Sequence, residues 1–434
     1  MSGLEQVTSS VEDVLIDSLQ FKPSPGASYI TARRDTRWFP SGSDSYASDS
    51  GVRVIRFNLT GAPQEWCDPQ SIRVSLDVTN TATVAGHNLE PCTGPWALFQ
   101  RVSIRVLGQL VEDINHYGKV YQMFFQGLTK EARERELELG WGGSLSADGN
   151  AICEQLIPGQ TKTITMNLLS GLFSGQSKYL WLSALGPVTV ELELARADAG
   201  VGTSGGGTNR STSWKISNPM VMGSVVDLSP DLVNAYTSHL ESGKSLPLSF
   251  GTWSAVEHAV ATPGEFSINQ SRAFSRLNTI MAVFSKAETY NEREVTTFVG
   301  KTDNPASITQ AQDNLETYIA LGPTRYPQYP TTKLAHHRMF YLGALGKLNS
   351  DAHTPGTRMA GWRHNKLILG WDMEKAHAGS GAAFSGVSTR NGDLLSLFVK
   401  NAGVAGGSTV TKCTVVNHYE VIARISAQGC DLLD

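Results

Sequence analysis

The chain lacks a basic excess, a long apolar run and paired cysteines, and each absence removes a class of function. Its formal net charge is −4 and its pI is about 6.2, so it has no overall positive field of the kind that holds nucleic acid non-specifically. A genome-packaging role is disfavoured. No run approaches the roughly 18 apolar residues that a membrane-spanning helix needs. The five cysteines, Cys67, Cys92, Cys153, Cys413 and Cys430, are odd in number and contain no Cys-x-x-Cys pair, so they read as free thiols in a reducing compartment. Asn58-Leu-Thr60, Asn209-Arg-Ser211 and Asn269-Gln-Ser271 match the glycosylation triplet, but no signal-like leader accompanies them. The expectation is a soluble protein made in the cytosol.

What is present is alternation. In Ile157–Leu194, Ile164, Met166 and Leu168 point one way against Thr165 and Asn167, and Val188, Val190, Leu192 and Leu194 repeat the pattern against Thr189, Glu191 and Glu193. A period of two is what a strand needs to bury one face. Ile72, Val74, Leu76 and Val78 alternate in the same way, as do Val102, Ile104 and Val106, while Val52, Val54, Phe57 and Leu59 do so imperfectly. Short strands punctuated by Gly and Pro predict an antiparallel sandwich or barrel.

At 434 residues the chain exceeds one ordinary core, and two domains of roughly 150 to 200 residues are expected. Residues 4 to 20 place Leu4, Val7, Val11, Val14, Leu15 and Leu19 at helical spacing, with Glu5, Glu12, Asp13 and Asp17 elsewhere around the turn. Arg33, Arg34 and Arg37 form a small basic cluster, and residues 41–50 read as a mobile polar linker. A helix is expected from Tyr117 to about Leu139, with an aromatic stripe facing the core. Asp227 to Gly243 predicts a second helix, with Ser229 to cap it, Pro230 in its first turn and Gly243 to end it. This gives an N-terminal arm and linker over 1–50, one β domain over 51–226 and a second over 227–434. The second is expected to use Phe266 and Ile268, 277–284, 366–369, 395–399 and 419–425 as strands.

No reaction centre emerges. Gly200-Val-Gly202-Thr-Ser-Gly205 fits the dinucleotide fingerprint and Gly202 to Gly206 the nucleophile-elbow spacing around Ser204, but no helical sequence follows them. Residues 198–213 are better read as a surface loop. Gly243-Lys-Ser245 and Gly300-Lys-Thr302 lack the earlier glycine of a phosphate-binding loop, having Ser238 and Val295 there. The adjacent His336 and His337 diverge on a strand or a helix, and no His-Glu-x-x-His occurs. Glu191 and Glu193 share a strand face at roughly 7 Å, a glycosidase-like spacing, but such pairs are usually a solvated face. No catalytic, cofactor-binding or metal residue is therefore assigned, and no cofactor.

The run from Trp96-Ala-Leu-Phe through Val102-Ser-Ile-Arg-Val-Leu-Gly108, then Val111-Glu-Asp-Ile-Asn115 and the Tyr117 helix, resembles the first half of double jelly-roll major capsid proteins of DNA viruses, in particular the polinton-like and adintovirus groups. The Pro-Gly turn, Leu-Phe bend and Lys178-Tyr-Leu180 of the Ile157–Leu194 stretch carry the same resemblance. In the second half Leu369-Gly-Trp-Asp-Met-Glu-Lys375, Phe384-Ser-Gly386, Ser388-Thr-Arg390, Leu395-Ser-Leu-Phe-Val399 and Tyr419–Ile425 are similar to that family's last barrel. Gly108-Gln-Leu-Val departs from it, standing where an Asn-Gly turn is common. The resemblance covers roughly residues 50 to 430. It implies an all-β chain of two tandem eight-stranded antiparallel jelly-roll barrels with short inserted helices. Three chains would form a homotrimeric capsomer of pseudo-hexameric outline, and trimers would tile an icosahedral capsid in the virion. Implied partners are other copies of the chain, a vertex protein, minor capsid proteins and, through the N-terminal arm, an internal membrane, with no sequence-specific nucleic acid. Loops such as 198–213 and 300–332 would decorate the outer surface or lock neighbours.

Jelly rolls also serve lectins and glycosidases, so the alternative is a carbohydrate-binding or carbohydrate-active sandwich. It needs an exposed aromatic platform, for which nine tryptophans are available; core and interface anchoring is their simpler use.

Overall fold

The computed structural model describes residues 29–47, 52–91, 93–145, 151–198, 201, 210–262, 264–286, 298–302, 309, 312–348, 355–376, 385–390, 394–403 and 410–433. The expected helix over 4–20 and most of the glycine-rich loop lie outside them.

In the first half the strands are β1 (Ile30–Trp38), β2 (Ser45–Ala47), β3 (Val54–Leu59), β4 (Glu65–Cys67), β5 (Arg73–Asn80), β6 (Phe99–Val106) and β7 (Gln109–Asn115). They continue with β8 (Ser144–Leu145), β9 (Ala151–Ile152), β10 (Thr161–Asn167), β11 (Leu180–Trp181), β12 (Val188–Leu194) and β13 (Trp214–Leu228). Eight of these form two antiparallel sheets in the orders β1-β13-β5-β10 and β3-β12-β6-β7. Numbered one to eight along the chain, the orders are 1-8-3-6 and 2-7-4-5, the winding of a jelly roll. The short β2, β4 and β11 extend the larger sheet, and β8 and β9 make a separate hairpin.

The second half comprises β14 (Leu246–Ala259), β15 (Glu265–Gln270), β16 (Leu277–Ser285), β17 (Glu316–Leu321), β18 (Thr324–Thr331), β19 (Ile368–Asp372), β20 (Leu395–Lys400), β21 (Lys412–Ser426) and β22 (Gly429–Leu433). Its sheets run β14-β21-β16-β19 and β15-β20-β17-β18, with β22 hairpinned onto β21. The orders are again 1-8-3-6 and 2-7-4-5. The same winding thus occurs twice.

Burial follows the period of two. On β12, Val188, Val190, Leu192 and Leu194 are buried and Thr189, Glu191 and Glu193 half-buried; on β10, Ile164 and Met166 are buried. The central β16 is buried on both faces except at half-buried Met281, because one face lies on the barrel interior and the other is packed in part by the helix Leu334–Ala344.

Among the described residues five α-helices are inserted: α1 (Tyr117–Gly127), α2 (Lys130–Gly140), α3 (Pro230–Glu241), α4 (Leu334–Ala344) and α5 (Met359–Asn365). The helix read as continuous from Tyr117 to Leu139 is two. Leu128 takes an extended conformation and the Thr129 side chain accepts from the Ala132 N–H, which stops one helix and starts the next. α3 forms within the expected span and joins the two halves, but Ser229 holds the N-cap position without its hydroxyl making the expected capping hydrogen bond.

Three further expectations change. Arg33, Arg34 and Arg37, and part of the supposed linker, lie in β1 and β2: β1 pairs with β13 from Ile30 to Trp38, so this segment is the opening strand of the first jelly roll. Its polar composition reflects an edge strand, exposed along most of its length. On β3 the inward residues are Ile55, Phe57 and Leu59, while Val52 and Val54 are exposed. Much of 300–332, expected as a loop, is the β17–β18 pair.

Candidate functional site

The two jelly rolls meet along a seam that no single sequence motif announces. Lys119, in the first turn of α1, is buried. Its Nζ donates to Glu257 Oε2 at 2.9 Å, Thr414 Oγ1 at 3.0 Å and Ser285 Oγ at 3.5 Å, all on strands of the second barrel. Lys412 reaches the other oxygen of Glu257 at 3.1 Å. Burial pushes the Glu257 carboxyl up, but the Lys119 and Lys412 ammonium groups outweigh it and hold it at about 2.

On β7, Glu112 is buried. Its carboxylate accepts from the Ser170 hydroxyl and from the N–H groups of Gly171 at 2.8 Å and Leu172 at 3.3 Å, fixing the Leu-Phe bend against β14. Desolvation raises its pKa, and these hydrogen bonds oppose the rise without cancelling it. Gln176, beyond the bend, donates to the Ser249 carbonyl of β14 at 3.3 Å.

At the helical end, Arg133 of α2 is fully buried and donates to Gln126 at 3.3 Å and to Thr357 of the second half at 3.4 Å. The Gly356 N–H donates to the Leu128 carbonyl at 2.9 Å, and Lys347 to that of Gly127 at 2.5 Å. Buried polar contacts are costly to break singly because the abandoned partner has no water to turn to. The seam therefore couples the barrels into one block.

Beside it lies an apolar groove of about 580 Å³ between the end of the first barrel, α3 and the start of the second. Trp66 and Trp181 stack in its wall at 5.2 Å, with Tyr236 of α3 tilted against Trp66 at 5.0 Å, and Leu246, Leu248 and Ile425 face them.

The residues singled out in the sequence are structural where they are described. Glu191 is paired with Arg56 at 2.6 Å and accepts from Ser103 at 3.1 Å, while Glu193 lies across from Arg101, itself bound to Asp113 at 2.6 Å. The two acids belong to a charge ladder across β3, β12, β6 and β7. Lys301 is buried, with Nζ donating to the carbonyls of Asn401 and Gly403 at 2.6 Å each. Lys244 is exposed after α3, where Gly243 takes φ +78. His336 is exposed on α4; His337 is buried between the Leu315 carbonyl at 3.0 Å and Thr317 at 3.4 Å. Among the described residues no three His, Cys, Asp or Glu side chains group as metal ligands. Cys67, Cys153, Cys413 and Cys430 are buried and form no disulfide among the described residues, and Cys92 lies outside those residues. The dinucleotide and elbow patterns around Ser204 also lie outside them. Eight of the nine tryptophans are buried and Trp253 is half-buried, so they form no exposed platform.

The seam residues were missed because an isolated Lys or Glu inside an apolar pattern looks like a solvated face. The one available signal was Lys119 beside Tyr117, Val120 and Tyr121, on a helix with no other charged residue.

No family model matches the chain, and no curated sequence does. Solved structures do. PBCV-1 VP54, a crystal structure fitted into a cryo-EM reconstruction of the virophage Sputnik, matches with a TM-score of 0.65 and 12% identity, over 95% of this chain and 99% of that one. A chain from the cryo-EM structure of the Sputnik virophage matches with a TM-score of 0.60 and 10% identity, over 97% and 92%. The Faustovirus major capsid protein matches with a TM-score of 0.60 and 9% identity, over 96% and 94%. Together with the strand orders, these likenesses establish the fold: the chain is a double jelly roll, as its residues resembled.

Proposed function

We propose that this chain is a major capsid protein whose working parts are the flanks of its two barrels rather than a pocket. The observation that carries the reading is the repeated strand order, 1-8-3-6 with 2-7-4-5, in two barrels locked by a buried seam. A rigid pair of like blocks is what a pseudo-hexagonal tile requires: three copies present six similar barrels around one axis through heterologous, ring-closing contacts. The near full-length likeness to a major capsid protein such as that of Faustovirus supports the same role.

In this reading the first jelly roll ends with β13, α3 is the connector and the second runs from β14 to β22. Trimers tile an icosahedral virion shell, and a vertex protein and minor capsid proteins are the further partners. The chain carries no catalytic task, and it is soluble before assembly. Contacts within a trimer are large, while those between trimers are weaker individually and add through multivalency.

Size-exclusion chromatography with light scattering, followed by negative-stain microscopy, tests this. Trimers with a hexagonal outline, or closed shells, are the expected result. A monodisperse monomer that binds glycans would replace the capsid role with the carbohydrate one.

A further inference from the structure

The apolar groove beside the seam has a candidate occupant within the same polypeptide. Tyr29 and Ile30, the first described residues, themselves line it, so the preceding 28 residues leave from its rim. Exposed Tyr29 and Tyr179 flank its mouth, and Trp66 and Trp181 stack in its wall. A water-facing concavity this apolar calls for a covering partner.

We propose that residues 4–20 of the same chain occupy this groove, seating Leu4, Val7, Val11, Val14 and Leu15 against Trp66, Trp181, Tyr236 and Leu246. Three features select that occupant. The first is reach: residues 20–28, Gln-Phe-Lys-Pro-Ser-Pro-Gly-Ala-Ser, span up to about 30 Å when extended and carry the Pro and Gly needed to reverse direction. The second is shape, since helical spacing over 4–19 gives an apolar stripe about 24 Å long. The third is charge. Residues 1–20 hold four acids and no Lys or Arg, and the one charged residue lining the groove, among those described, is Lys178. Tethering at Tyr29 favours the chain's own segment over a free partner, because a short linker gives a millimolar-scale effective concentration. The proposal concerns a single chain and stands or falls apart from capsid assembly.

The test uses the full-length protein with Tyr236 replaced by p-benzoylphenylalanine, mixed with isotopically heavy chain lacking the photo-group. After irradiation, the light chain is expected to be cross-linked to its own peptide containing residues 4–20. Links to the heavy chain, to an acyl lipid, or only to neighbouring groove residues would each overturn the proposal. As a second readout, the Val11→Asp/Leu15→Asp variant places carboxylates on the seated face while leaving both barrels untouched. Hydrophobic-dye fluorescence should rise severalfold over that of the parent while the barrels' circular dichroism stays unchanged. Equal dye binding by the two proteins would count against the groove being covered by this segment.

Discussion

The α-carbon of Gly171 packs against the carbonyl oxygen of Gly251 so closely that a methyl group on Gly171 has no room. One glycine lies in the Leu-Phe bend of the first barrel and the other in β14 of the second, so the contact is backbone to backbone across the seam. Gly171→Ala must part the barrels or shift the bend. Overpacking against backbone costs about 1–3 kcal/mol, and the upper part of that range applies here because no side chain can rotate away. Calorimetry should record a melting temperature several degrees lower. Gly343→Ala, on α4 where an added Cβ meets nothing within 4 Å, should leave stability unchanged or raise it by up to about 1 kcal/mol.

Lys119 and Glu257 should behave as a coupled pair. Lys119→Met leaves the carboxylate with Lys412 as its remaining ammonium partner, and breaking a buried pair from one side costs about 3–5 kcal/mol. Adding Glu257→Gln removes the half-paired carboxylate and should recover part of the loss. A double-mutant cycle in denaturant checks this: additive single effects would mean that the pair is not coupled.

Acid should weaken the protein in two steps. His337 has its pKa pushed down to about 4 from 6.5, chiefly by burial. A lowered value means the fold prefers the neutral ring, so this stabilisation is complete above pH 6.5 and is lost as pH falls toward 4. Glu257, at about 2 against an ordinary 4.5, keeps its contribution above pH 4.5 and loses it between 4.5 and 2. Each shift corresponds to about 3 kcal/mol at most. Melting temperature against pH should fall through both windows, and His337→Gln should flatten the upper one.

The outward record of the fold was plain in the sequence, and its closures were not. β10 and β12 were readable because each has one face on the core and one toward water, which writes a period of two into the residues. β1 was not, since an edge strand rich in Arg, Asp and Thr has the composition of a loop, and only pairing with β13 makes it a strand. β17 and β18 were hidden in the same way, by Thr, Tyr and Pro in a pair reached through long connections. The break between α1 and α2 depends on a capping hydroxyl, a local choice that an amphipathic stripe does not record. The seam was least legible of all. Lys119 and Glu257, which meet there, stand 138 residues apart, and a buried charge is defined by its distant partners.

Glu112 offers the sharpest test of how that seam is charged. Burial raises its pKa, yet two N–H groups and the Ser170 hydroxyl point at its oxygens, an arrangement that suits a carboxylate. Glu112→Gln keeps the shape but turns one acceptor into a donor. If the site is ionised at neutral pH, the amide NH2 faces the Leu172 N–H or the Ser170 hydroxyl, and about 1–3 kcal/mol is lost. The pH dependence has the sign opposite to that of Glu257. A raised pKa means that stability is fully present below the ordinary value of 4.5 and is lost as pH rises through the folded value. The stability difference between the parent and Glu112→Gln should therefore shrink on going from pH 4 to pH 8. A difference that is constant over that range would mean that the folded value is not raised, and that the three hydrogen bonds fully offset the loss of water.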